Sequence, residues 1–304
     1  MRVVRDGLLT TAGAVGTALV WHRLRAARDR PWAARWERTN HAGHPVTLLE
    51  GVALVAGTAG TALATGAAWP GGSLPYAVAS LGAGSLGALD DLRQDTDRKG
   101  LAGHLRALAH GRVTTGALKV VGLVATGLVV TALDDARGRT RLAALSADHR
   151  GRTRTAAQPA DHRGLRPATV WGTLAGAAVV AGSANLANLF DLRPGRALKV
   201  GVLAAVPLVV TGPGSPAAAV TLGSALALLP DDLAGSSMLG DTGANPLGAV
   251  LGLALVQRQG PVARTATLAV VTGLTLASER VSFTKVIEST PVLRELDALG
   301  REPR

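Results

Sequence analysis

The chain has 304 residues, of which 47% are hydrophobic but only 3% aromatic and 17% charged, so its apolar content is mainly Ala, Val, Leu and Gly. With a mean hydropathy of +0.27 and charges bunched between long uncharged runs, this composition excludes a large soluble core and reads as a polytopic membrane protein. The net charge of +11 would suggest nucleic acid in a soluble protein. Here no aromatic-interleaved basic patch supports base stacking, and the Arg-rich loops read instead as topology signals that meet anionic lipid headgroups. There is no cysteine, which removes disulfides and thiolate metal sites from consideration.

Gly7 to Trp21 is the first apolar run, and Arg23, Arg25, Arg28, Arg30, Arg35 and Arg38 follow it, placing the next loop inside. A signal peptide carries its basic block before the apolar run, so this segment reads as a span. Val46 to Trp69 and Pro75 to Leu89 make the second and third spans, joined by the uncharged outer turn Pro70-Gly71-Gly72-Ser73. Ala117 to Leu133 is the fourth and Ala168 to Ala184 the fifth. Between them Asp134 to Pro167 is polar and Arg-rich, with Asp148-His149-Arg150-Gly151 echoed at Asp161-His162-Arg163-Gly164, and reads as a flexible loop. Leu198 to Val210, Ala217 to Leu229, Pro246 to Val256 and Ala263 to Ala277 complete the set. Several of these runs fall below the roughly 17 residues a span needs, so loop residues must extend them or the bilayer must thin.

The expected fold is all-α, a polytopic membrane helix bundle of about 9–10 transmembrane helices. It forms a single integral membrane domain over residues 1–304, with residues 134–167 as the Arg-rich loop and 278–304 as a cytoplasmic C-terminal tail broken at Pro291. Counted from an outside amino terminus, the loops beginning near His22, Asp90, Asn185, Asp231 and Ser278 share the cytoplasmic face. Every cluster with chemical potential falls in one of them. The positive Asp134 to Pro167 loop ends up outside, where long loops obey the positive-inside rule less strictly.

Three clusters stand out. Asp90-Asp91 puts a carboxylate pair at a membrane boundary, able to position Mg2+ or take a proton from an attacking phosphate, or simply to end a helix in water. Asp95 and Asp97 beyond it lack the bidentate Glu of a calcium loop, and Lys119 at the start of the next span either reaches back to a phosphate or snorkels. Asn185, Asn188 and Asp191 lie three apart along one side of a helix end. They can read a base, sugar hydroxyls or a metal, or bond between spans. Arg193, Arg196 and Lys199 follow and can hold a diphosphate. The turn Met238 to Gly248 carries Asp241 between Gly240 and Gly243, suited to an ion and a phosphate at close approach, or to an N-cap. Asp231 and Asp232 rank below Asp241. His41 and His44 read as solvated imidazoles rather than metal ligands.

Taken in this order, the clusters resemble the polyprenyl-phosphate sugar-1-phosphate transferases, the family of phospho-N-acetylmuramoyl-pentapeptide transferase and the polyprenyl-phosphate N-acetylglucosamine-1-phosphate transferases. The family's Asp-Asp pair, Asn-x-x-Asn-x-x-Asp segment and Gly-Asp-x-Gly turn fall on Asp90 and Asp91, on Asn185, Asn188 and Asp191, and on Gly240, Asp241 and Gly243. The resemblance implies Mg2+ as cofactor, with a nucleotide sugar (usually a UDP-N-acetyl sugar) as donor and a polyprenyl phosphate lipid in the membrane as acceptor. It further implies Asp241 and Asp91 as metal ligands, Asp90 and Asp91 as metal support or base, Asn185, Asn188 and Asp191 on the donor, and Arg193, Arg196 and Lys119 on phosphates. This chain departs from the pattern in three places. Asp191 continues into Leu192-Arg193-Pro194-Gly195-Arg196 without a second acid, Glu50-Gly51 stands where a Gly-Gly pair is expected, and Ser278 to Arg304 contains no His. A transporter or a silent scaffold is the alternative class, although no inverted repeat is evident. A homodimer is left open.

Overall fold

The computed structural model describes residues 2–40, 43–93, 110, 114–152, 167–210 and 212–301, with backbone alone for 139–152 and 167–168. Asp95, Asp97, His41 and the second copy of the Asp-His-Arg-Gly repeat lie outside them.

Eleven helices account for nearly all the ordered backbone among the described residues. The apolar runs give α1 (Arg2–Ala26), α2 (Leu49–Ala64), α3 (Leu74–Arg93), α4 (Thr115–Arg152), α5 (Pro167–Phe190), α6 (Arg196–Val210), α7 (Ser215–Leu233), α8 (Gly240–Val256) and α9 (Pro261–Ser278). Two short helices, α10 (Phe283–Ser289) and α11 (Pro291–Ala298), follow. Pro291 lies in the first turn of α11, where its missing N–H costs nothing. The only strands among the described residues are β1 (Glu37–Thr39) and β2 (Pro45–Thr47), an antiparallel pair in the register Glu37 to Thr47.

Helix α8 is the axis of the bundle. It packs on α2 through α7, and every residue except Asp241 and Leu255 is buried. Helix α1 packs on α2 and α7, and α9 on α5. Small residues set these separations. A Cβ on Gly87 of α3 would stand 2.1 Å from the Asp241 carbonyl oxygen of α8, so only glycine allows this approach. Buried hydroxyls tie neighbours together: Thr17 Oγ1 donates to Ser224 Oγ at 2.8 Å between α1 and α7, and Thr58 and Ser80 share a 2.8 Å bond between α2 and α3.

Many large apolar side chains nevertheless lie on the outside of this bundle. Leu8 and Leu19 on α1, Val121 and Val129 on α4, and Leu203 and Val210 on α6 are exposed. In water that surface would be costly, whereas lipid accepts it. Three helical stretches, Arg2–Ala26, Thr115–Gly138 and Thr169–Phe190, are long and apolar enough to cross a membrane.

The structure corrects the expected boundaries in two places. The flexible loop expected from Asp134 is helical as far as Arg152, because α4 continues past its apolar stretch. That stretch has no proline or glycine pair to stop a helix once α4 has been nucleated in the bundle. The second span begins at Leu49 rather than Val46, since Pro45–Thr47 forms a strand over the end of the bundle instead.

Candidate active site

The site is assembled at the end of the bundle where α3 stops and α4 and α8 start. Helix α8 begins without a cap from its own N-cap residue, Leu239. Asp91 of α3 supplies one from across the interface. Its Oδ1 accepts the Asp241 N–H at 3.2 Å, and its Oδ2 accepts the Thr242 N–H at 2.9 Å and the Thr242 hydroxyl at 2.6 Å. Two otherwise orphaned donors of the first turn are thereby satisfied. Gly240, at φ 59°, makes the turn that brings this helix start against Asp91. Arg38 of β1 donates to the Asp91 carbonyl, which pins the hairpin over the same spot.

Capping α8 leaves Asp90 and Asp241 as the carboxylates that face outward. Both meet Lys119 from the first turns of α4, whose ammonium pairs with Asp241 Oδ2 and lies 3.4 Å from Asp90 Oδ2. These acids lie past the ends of the apolar stretches that read as spans. Burial pushes Asp241 up to about 7; a hydrogen bond with Asp90 adds to the rise and the charge of Lys119 opposes it. Burial also raises Asp91, against the lowering effect of its Thr242 bonds.

A cleft of about 450 Å³ opens from this cluster between α4, α5 and α9. Asp90, Lys119, Asn185 and Glu279 stand at its polar end, and Leu123, Ala181, Leu268 and Val271 form apolar walls further in. An apolar trough with the Lys119 ammonium and the Asp90 and Glu279 carboxylates at one end can take an apolar chain with a phosphate head. Asn188 lies half-buried on the same end of α5, one turn beyond Asn185.

Asp191 sits behind the cluster; burial followed by the charge of Asp232 raises it well above the usual carboxylate range, against the lowering effect of the Gly240 N–H. Asp232 Oδ1 accepts the Gly195 N–H at 3.1 Å, and burial pushes this acid up to about 7 against that bond and the charges of Arg301 and Lys199. Both acids line a second, polar cavity of about 910 Å³ under α10.

The structure therefore brings Asp90, Asp91, Asp241, Lys119 and Asn185 together, with Asp191 adjacent, and assigns some of them other work than expected. Asp91 was expected as a metal ligand or base, but both its oxygens are engaged in capping α8. Arg196 was expected on a phosphate. It is buried and bidentate to Asp297 of α11 at 2.7 and 2.8 Å, and it also donates to Thr284 at 2.9 Å. Lys199 donates to the α11 carbonyls of Leu296 and Asp297 and to Leu299 just beyond, and Arg193 pairs with Glu288 of α10 at 3.0 Å. The three basic residues after Asp191 hold the C-terminal helices in place. His44 is exposed.

Three acids ranked low or passed over prove to be buried: Asp232, Asp6 of α1, which pairs with Arg5, and Glu50 in the first turn of α2, which lies against Ser237. A charged residue at an apolar boundary normally reads as solvated, and only the placement of Glu50 opposite a Gly-Gly expectation hinted otherwise.

No group of three or more His, Asp or Glu among the described residues is close enough to hold a metal ion. Asp90 and Asp241 nevertheless converge on one positive charge, the Lys119 ammonium. A two-carboxylate set suits Mg2+, which binds through one or two carboxylates and completes its shell with waters and substrate phosphates. No family model and no curated protein matches the chain.

Proposed function

We propose that the chain is an integral enzyme of the cytoplasmic membrane, with about nine or ten spans and its active site facing the cytoplasm. It transfers a sugar 1-phosphate from a nucleoside-diphosphate sugar, by resemblance a UDP-N-acetyl sugar, to a polyprenyl phosphate in cell-wall or surface-glycan synthesis. The observation that carries this reading is that Asp90 and Lys119 stand at the polar end of an apolar cleft, with Asp241 paired to the same Lys119. Such a cleft lets an isoprenoid chain lie between helices while its phosphate meets Lys119.

An oxygen of the lipid phosphate attacks the sugar-bearing phosphorus of the donor. A new P–O bond forms, the bond to the nucleotide phosphate oxygen breaks, and the nucleotide monophosphate leaves with the electron pair. Asp241 and Asp90 are the residues that would hold Mg2+, which when bound neutralises the charge on the diphosphate oxygens. Lys119, released from its acid partners, orients the attacking phosphate. Asp90, paired with Lys119, is also the carboxylate placed to accept a proton from that phosphate, since Asp91 caps α8. Asn185 at the cleft rim positions the donor through its amide. Incubating the detergent-purified protein with polyprenyl phosphate, Mg2+ and a panel of nucleotide sugars should release nucleotide monophosphate; inactivity across the whole panel would overturn the reading in favour of a silent homologue.

A further inference from the structure

The chain's last helix presents an apolar face on the outside of the bundle. Of the eight residues of α11, only Asp297 is not exposed. It is the anchor, bound by Arg196 and Arg301, while Lys199 of α6 donates to the carbonyls of Leu296, Asp297 and Leu299. The apolar side chains point elsewhere: Val292, Leu293 and Leu296, with Leu299 just past the helix end, are between 41% and 68% exposed. At about 100° per residue these four fall within about a third of the helix circumference, with Leu296 about a quarter-turn from Asp297, and Arg294 and Glu295 take the remaining side. The helix is therefore amphipathic, and the bundle holds it by its polar edge and not by its apolar face.

Position and charge decide what covers that face. Lys199 begins a stripe of α6 that continues through Leu203, Val206 and Val210, spaced three or four apart on one side of the helix and all exposed. In the membrane reading this is a stripe that meets lipid, and Lys199 fastens the end of α11 across its first turn. Beside it an apolar notch of about 320 Å³, lined by Leu226, Leu229, Pro230 and Leu233 of α7, reaches Gly300 just after α11. The exposed face of α11 is thus continuous with the outward apolar sides of α6 and α7. Residues 278–304 carry five basic and five acidic side chains. A strongly charged protein or a nucleic acid finds no matching field there, whereas a bilayer interface takes an apolar helix face through its area.

We propose that α11 lies in the surface of the cytoplasmic leaflet, with its Val292, Leu293, Leu296 and Leu299 face sunk about 5–10 Å into the boundary between headgroups and acyl chains. The bilayer then holds from one side a segment whose other ties, through Arg193 and Arg196, lead to the loop after Asp191. The inference rests on the membrane part of the proposed function and not on its transferase chemistry.

Because the native chain has no cysteine, single thiols can carry an environment-sensitive fluorophore in the full chain reconstituted into phosphatidylcholine vesicles. Leu296→Cys reports the apolar face of α11, Arg294→Cys its polar face and Leu203→Cys the outward stripe of α6. A nitroxide near the top of the lipid acyl chains quenches from the membrane, and iodide quenches from water. The label at position 296 should be quenched by the nitroxide lipid several-fold more than the label at 294, and it should be shielded from iodide. Val292→Cys, one turn earlier on the same face, should repeat the result and decides alone if Leu296→Cys fails to fold. Iodide quenching at 296 equal to that at 294 would overturn the proposal, and nitroxide quenching at 203 in the same vesicles would leave the membrane reading standing. Shielding of 296 from both quenchers would overturn it too, in favour of a second copy or another protein on this face. Absence of nitroxide quenching at 203 would remove the membrane reading and this inference together.

Discussion

At the scale of single residues, the chemistry turns on which carboxylates cap a helix and which pair with Lys119. Asp241→Asn keeps the shape and removes the charge, so release of nucleotide monophosphate should fall by roughly 10²–10⁴-fold, the range for a group acting on the reacting centre. An unchanged rate with the same Mg2+ dependence would remove Asp241 from the reaction. Asp91→Asn should behave differently, because an amide oxygen still accepts one backbone N–H while its NH₂ faces another donor. The expected result is a loss of about 1–2 kcal/mol of stability, typical of a damaged helix cap, measured by thermal unfolding. The acids at the span ends were legible in the sequence as candidates. Their division of labour was not, since the donors that engage Asp91 lie about 150 positions away, at Asp241 and Thr242. The same distance problem hid the fate of Arg196, whose partner Asp297 is 101 positions on.

Among the elements, close approach is the testable property. Gly87→Ala would drive a Cβ into the α8 backbone and separate Asp91 from the helix it caps. A loss of about 1–3 kcal/mol or more is expected, whereas Gly60→Ala, with nothing within 4 Å of the added Cβ, should be neutral or stabilising by up to about 1 kcal/mol. Equal effects would mean that α3 and α8 are not in contact. The C-terminal pair α10 and α11 is held differently, by charge. Burial works against ionising Asp297, but the hydrogen bonds and charges of Arg196, with Arg301 and Lys199, overcome it and hold the carboxyl below its ordinary value. Its ionised form therefore contributes stability above the unfolded value of about 4, and that stability is lost as pH falls through the lower folded value. A nitroxide attached through Leu293→Cys should report an immobile α11 at pH 6 that becomes mobile only as pH falls well below about 4, through the lowered value of Asp297, and Asp297→Asn should mobilise it already at pH 6. The apolar runs made nine helices readable in the sequence. The β1–β2 hairpin and the far half of α4 were not, because both follow from tertiary support instead of hydropathy: β1 is too short to show alternation, and α4 continues through residues as polar as a loop.

For the whole molecule, sidedness is the remaining forecast. The native chain has no thiol, so Arg30→Cys and Arg150→Cys can be labelled singly in intact cells with a membrane-impermeant maleimide. Position 150 should react from outside and position 30 only after permeabilisation; reaction of both from one side would leave the shared face of Asp90, Lys119 and Asp241 without its topological basis. Helix α4 gives this asymmetry a dimension. Its 38 residues run to about 57 Å at 1.5 Å each, while a bilayer core is only about 30 Å thick. Lys119 lies in its first two turns, so the excess length, on the order of 25 Å, projects from the end remote from the chemistry. On the proposed reading, α4 is a post on the side away from the reaction, and a partner approaching that side would meet the post before it reached the body.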